Sequence, residues 1–392
     1  VASFFILSPQ CTQAAEFELK NGDRVVLLGN TLVEREQRYG YWEAALTSRF
    51  PERVTFRNLG WSGDTVLGIA RAEFGSPQDG FKRLKDDVEA FEPTVILVAY
   101  GTNESFEGEA GLPRFQQGLD TLLDTLAKTK ARMVLISPIR FEDLGKPLPD
   151  PTHQNNNLRL YRDVLKAAAG KRSLPFVDLF EASANRVPPG PARPLTENGM
   201  HMNAYGYYRT AFALERELGM KAAEWHVTLD AADGSLMTVG THVEKEDKDP
   251  LSFGLTDARL TLPCPAEGIG ESPAARTLQI RGLKDGDYTL RIDGRDIRTA
   301  SARQWAKGIE LNQGPDLDRA EQLRETIVAK NREYFHRWRP ENDTYLLGFR
   351  KHEQGQNKAE LPQFDPIVAR LEDEITRLRV PTKHKYEITP AK

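Results

Sequence analysis

The sequence has little cysteine, no excess of positive charge and no long apolar run, and each shortage excludes something. Only Cys11 and Cys264 occur among 392 residues. If a leader is removed near Ala15, Cys264 stands alone and no internal disulfide can form. The net charge is −4 with 28% charged residues, so there is no broad basic face of the sort nucleic acid or an anionic membrane requires. No apolar stretch approaches the roughly 20 residues that span a bilayer. The His and Cys residues lack the paired spacing of a metal site, and there is no glycine loop of the phosphate-cradling type. The reading therefore calls for no metal and no cofactor. Neither nucleic acid nor a membrane span is expected as a partner, and the oligomeric state is open.

What is present starts with an apolar, uncharged run, Val1 to Leu7, leading through Pro9 to Ala14-Ala15. This pattern predicts the remnant of a secretory signal peptide over 1–15, and hence an exported, periplasmic or extracellular protein. From residue 16 to 225, short apolar runs alternate with amphipathic segments. The runs Arg24–Leu28, Val54–Phe56, Thr94–Val98, Met133–Ile136 and Pro175–Val177 read as parallel strands buried on both faces, the doubly wound α/β pattern. Helices are expected over 33–50, 81–91, 115–128, 158–169 and 205–218. From 226 to 315 the runs 226–230, 236–244, 258–262, 277–280 and 288–292, punctuated by Asp-Gly turns, predict a small antiparallel β unit. A helical tail is expected over 316–392, placed so that it can fold back on the first domain.

In an open α/β sheet the loops at the carboxyl ends of the strands build the site, and the unusual residues fall there. Thr31 opens the first helix, Gly63 lies in the turn after the second strand, Asn103 follows the third strand, and His201 precedes the last helix. Singly, each is an ordinary cap, turn former or structural histidine. Together, in this order, they supply a hydroxyl, a backbone donor, an amide donor and a base near neutral pKa, the parts that acyl transfer must converge on one carbonyl.

The strings Gly29-Asn30-Thr31-Leu32, Ser62-Gly63-Asp64-Thr65, Gly101-Thr102-Asn103-Glu104 and Asn198-Gly199-Met200-His201 resemble the four blocks of the SGNH/GDSL hydrolase superfamily over roughly Asp23 to Leu218. The resemblance implies a flavodoxin-like three-layer α/β/α fold with a parallel sheet. It also implies an ester hydrolase in which Thr31 is the nucleophile and His201 the base, with Gly63 and Asn103 forming the oxyanion hole and Asn198 at the position of the orienting acid. Three departures stand out: Thr replaces Ser at 31, Asn replaces Asp at 30, and Asn replaces the acid at 198. Glu197 is the nearest substitute for that acid; otherwise a backbone carbonyl would orient the ring. The partner this implies is a small-molecule or polysaccharide ester, above all an acyl, chiefly acetyl, ester of a carbohydrate. The alternative is a weak or silent hydrolase fold that binds glycans. Arg337, Arg339, Arg350 and His352, set among aromatic residues of the tail, are possible substrate-binding groups.

Overall fold

The computed structural model describes residues 17–50, 53–184, 193–222, 224–244, 249–268 and 273–391; the leader read over 1–15 lies outside them. Strands β1 (Arg24–Gly29), β2 (Thr55–Gly60), β3 (Val95–Ala99), β4 (Arg132–Ile136) and β5 (Phe176–Val177) form one parallel sheet in the order β2-β1-β3-β4-β5. Their apolar side chains are almost wholly buried on both faces, which is why they read as continuous apolar runs and not as alternating ones. Helices α1 (Thr31–Glu36), α2 (Tyr41–Arg49), α3 (Pro77–Ala90), α4 (Leu112–Ala127), α5 (Thr152–Arg172), α6 (Leu179–Ala182) and α7 (Ala204–Glu217) complete this unit. One side of the sheet packs on α2 and α7 through Trp42, Leu46, Tyr207 and Leu214. The other packs on α3, α4 and α5 through Leu84, Leu119, Leu122 and Leu165. The result is three layers, α/β/α.

The helix expected over 33–50 is two. Gly40 takes φ +69° between α1 and α2, and a Cβ there would stand 3.1 Å from the Val328 side chain, so both the backbone conformation and the close approach of a distant helix favour glycine.

The second unit differs from its sequence reading in several respects. It contains β6 (Trp225–Asp230), β7 (Ser235–Val239), β8 (Thr241–Glu244), β9 (Ser252–Asp257), β10 (Arg276–Arg281), β11 (Asp287–Ile292), β12 (Arg295–Ser301), helix α8 (Ala302–Lys307) and β13 (Ile309–Glu310). These make two sheets, β13-β10-β6-β7 and β12-β11-β14-β9-β8, where β14 is Lys383–Pro390. The run 236–244 breaks at Gly240, whose Cβ would lie 2.0 Å from the Glu224 carbonyl. The strand expected over 258–262 is instead β9 at 252–257, and β6 pairs with β10 in parallel, not antiparallel. Pairing depends on what each strand meets across the sheet, and local alternation does not encode it.

The tail consists of α9 (Pro315–Trp338), α10 (Asp343–Leu346), α11 (Lys351–Gln354) and α12 (Phe364–Leu378), followed by β14. It is thus not helical to its end: β14 alternates buried His384, Tyr386 and Ile388 with more exposed neighbours, a period of two that suits a sheet. The α9/α12 pair covers edge strand β2. Lys330 Nζ donates to the Phe56 carbonyl at 3.1 Å and to Glu43 Oε2 at 2.9 Å. The Arg57 guanidinium stacks on Phe91 and Tyr334 and pairs with Glu372. An exposed edge is thereby protected.

Lys330 is 1% exposed, and burial lowers its pKa against the opposing pull of Glu43. Beside it, burial foremost pushes Glu36 up to about 8, with a contribution from the charge of Glu43. Removing the lysine leaves the Glu43 carboxylate buried without its cation. Lys330→Ala is therefore expected to lower stability by about 3 kcal/mol, seen as a lower urea midpoint; an unchanged midpoint would show that water or rearrangement replaces the pair.

Candidate active site

Thr31, Gly63, Asn103 and His201 sit at the carboxyl edge of the parallel sheet, Thr31 at the start of α1 and the other three in loops. Asn30 caps α1 by accepting the Leu32 N–H at 3.1 Å, a cap function that Asn performs as well as Asp. Thr31 is the first helical residue, and its Oγ1 accepts the Gly63 N–H at 3.3 Å. Gly63 has φ +80°, a conformation that aims the amide at the threonine and that most side chains resist. Nearby, β2 ends at Gly60, where a Cβ would stand 2.2 Å from the Glu34 nitrogen; glycine thus lets the second strand approach α1.

Asn103 donates from Nδ2 to the Asp64 carbonyl at 2.6 Å, a bond that uses one of its two amide N–H groups. Asp64 is itself anchored. Its carboxylate receives Arg71 Nε at 2.7 Å and the Tyr100 hydroxyl at 3.0 Å, with Asp64 and Arg71 side chains both 0% exposed. Glu104 ties the same loops together, accepting from Val66 N–H at 2.8 Å and Gly101 N–H at 2.9 Å. Desolvation raises its pKa to about 7 despite those donors.

The histidine loop has its own carboxylate. Glu142 accepts from the Leu195 and Thr196 N–H groups, both at 2.8 Å, and from the Thr196 hydroxyl. Asn198 Oδ1 accepts from the backbone N–H of His201 at 2.9 Å and of Met200 at 3.2 Å. Those two donors fix the amide, and its NH2 end faces His201 Nδ1 at 3.2 Å. An NH2 group can only donate, so the neutral ring is held with Nδ1 bare and its proton on Nε2. An orienting carboxylate would select the opposite tautomer. Burial first, and the Arg35 charge second, depress the pKa of His201, partly offset by Glu197. Among the described residues Thr31 and His201 share no direct hydrogen bond.

Among the described residues the Glu197 carboxylate makes no hydrogen bond to the His201 ring. Its oxygens receive Arg35 at 2.7 Å and the Tyr39 hydroxyl at 2.6 Å, and chiefly the tyrosine bond holds its pKa down. Consecutive residues of α1 thus serve the two loops: Arg35 grips the histidine loop through Glu197, while Glu34 accepts from the Ser62 N–H and hydroxyl, each at 2.8 Å.

Of the four tail residues read as possible ligand contacts, Arg339 alone is joined to this assembly, through Glu34. Arg337 pairs with Asp365, Arg350 with Glu353 and Tyr345, and the exposed His352 lies 3.7 Å from Glu353. Glu34, Glu104, Glu142 and Arg71 were not singled out by sequence. The acidic residue directly after Asn103 was the one available signal.

Residues 26–209 match the model of the GDSL-like lipase/acylhydrolase family. The chain is similar in structure to a gut microbial diltiazem-metabolizing enzyme, at 19% identity and TM-score 0.75, over 97% of this chain and 100% of that one. That likeness embraces the β unit and tail as well as the first unit. A catalytic mutant of an acetylxylan esterase from Geobacillus stearothermophilus is similar at 20% identity, TM-score 0.41, over 52% of this chain and 98% of that one. Another acetyl xylan esterase is similar at 16% identity, TM-score 0.38, over 49% and 98% respectively. No curated protein matches by sequence.

Proposed function

From the premise that residues 26–209 form a domain of the GDSL-like lipase/acylhydrolase family, and hence that the chain is a carboxylic ester hydrolase, we propose that Thr31 is its nucleophile. We take the substrate to be an ester of a small acyl group, acetyl above all, on a carbohydrate alcohol. The observation that carries the proposal is the Gly63 N–H standing 3.3 Å from Thr31 Oγ1, since a carbonyl under attack by that oxygen brings its own oxygen among the neighbouring donors. Thr31 Oγ1 bonds to the acyl carbon as its proton passes to His201 Nε2, and the oxyanion is held by Gly63 N–H and Asn103 Nδ2–H. Collapse breaks the ester bond, the alcohol leaves with the proton from His201, and water releases the acid from Thr31 by the same steps.

Nε2 accepts that proton only if the ring first moves its own proton to Nδ1, against the Asn198 donor. A slow enzyme follows. The same observation favours a second reading, a near-silent hydrolase fold that binds glycans. The two separate in acetate release from phenyl acetate and acetylated oligosaccharides by wild type and His201→Ala, both checked for folding by circular dichroism. Wild type is expected to exceed the variant by about tenfold, less than the ~10²–10⁴ of a well-poised base. Equal rates on every acetyl ester, with measurable oligosaccharide binding by calorimetry, would favour the second reading.

A further inference from the structure

The β2 loop, which contributes Gly63, is gripped by a residue from far along the chain. Arg339 follows the last residue of α9, and its guanidinium donates to Glu34 Oε2 at 2.7 Å. The same guanidinium carbon stands 3.6 Å over the Trp61 ring centroid, while Trp338 meets that ring edge-on at 5.9 Å. Glu34 in turn holds both the N–H and the hydroxyl of Ser62. Trp61 and Ser62 are the two residues before Gly63. One arginine therefore bears on both: on Trp61 by stacking, and on Ser62 through the carboxylate it neutralises.

Side-chain exposures of 23% for Arg339 and 13% for Glu34 leave the pair partly desolvated, which strengthens charged contacts. A bidentate or stacked arginine of this kind fixes geometry as well as charge. On the other flank, Asp64 is fixed by the buried Arg71. With Arg339 removed, the Glu34 carboxylate loses its only ion-pair partner among the described residues, and Trp61 loses the nearest of its stacked cations.

We propose that Arg339 is a positioning residue for the oxyanion hole: through Glu34 and Trp61 it sets the Ser62–Gly63 peptide so that the Gly63 N–H meets Thr31 Oγ1. The C-terminal region is then part of how the active site is built. The inference rests on the esterase reading for its kinetic consequence, and Arg339 touches no reacting atom.

The test compares full-length wild type, Arg339→Ala and Arg339→Lys in phenyl acetate hydrolysis and in amide hydrogen exchange of a peptide covering residues 58–66. Loss of an oxyanion donor outright costs about 10²–10³ in kcat, so loosening one is expected to lower kcat in Arg339→Ala by about 10- to 100-fold with KM within about twofold. Exchange across 61–64 should quicken, and Arg339→Lys, which keeps the charge, should recover part of both. Unchanged kcat and exchange would overturn the proposal. So would a raised KM with intact kcat, which would make Arg339 a substrate contact. If Arg339→Ala does not fold, the lysine variant is read against wild type, expecting a smaller loss of kcat with faster exchange. If wild type turns over no faster than Thr31→Ala, the esterase reading has failed and the exchange measurement still judges the grip on its own.

Discussion

Asn198→Asp is expected to raise kcat/KM for phenyl acetate by on the order of 10³-fold, because the reverse change in a serine-protease triad costs about 10⁴ through the wrong tautomer. The loop needs little adjustment. One oxygen of an Asp at 198 can accept from the Met200 and His201 N–H groups as Asn198 Oδ1 does, leaving the other to accept Nδ1–H where Nδ2 now donates. Nε2 is then free to take the Thr31 proton. The pH–rate profile supplies an independent sign. In the wild type the pKa of His201 lies below its ordinary value of 6.5, so the fall in activity on acidification begins only below that pH. A carboxylate beside the ring favours the imidazolium, so in Asn198→Asp the fall sets in at a higher pH. A gain in rate with an unmoved profile would argue against the tautomer explanation, and no gain at all would argue against His201 as the base.

Thr31→Ala in the Asn198→Asp background is expected to lose at least about 10³ in kcat, since a triad without its nucleophile retains only what binding and the oxyanion donors supply. Thr31→Ser should act in the opposite direction, by about tenfold, because it removes a methyl that restricts χ1 beside the attacking oxygen. Mass spectrometry of enzyme quenched during turnover would locate the acyl group on residue 31 in both the Thr and the Ser forms. Acetate release surviving in Thr31→Ala would show that the hydroxyl is not the nucleophile.

The parallel sheet was readable because strands buried on both faces leave unbroken apolar runs such as Val95–Val98; the four candidate residues stood out because Thr31, Gly63 and Asn103 fall in the segments that follow such runs and His201 falls just before the last helix of the unit. Glu104 and Glu142 were not, since a carboxylate that accepts backbone N–H groups from another loop has no spacing rule; its partners are chosen by the tertiary fold. The same holds for Arg339, which meets Glu34 across 305 positions. In the β unit, local alternation identified strands 226–230 and 277–280 but carried no information on their mutual direction. Asn198 stood out in the sequence as a departure, yet only the two backbone N–H groups on its Oδ1 reveal which end of the amide meets the ring.

The placement of β14 has a consequence for the order of events during synthesis. It lies between β11 and β9, in the middle of a five-stranded sheet, although it is made after α9 and α12 have crossed the first unit. A nascent chain that stops short of residue 383 leaves β9 and β11 each with an unpaired edge, a template for pairing with another chain. Domains fold as units from the N-terminal end during translation, so the α/β/α unit can form early while the second sheet stays open until the segment through residue 390 has emerged from the ribosome. Chaperone demand should therefore fall in that late window. A tag or truncation at the C-terminal end belongs beyond this strand, not within it.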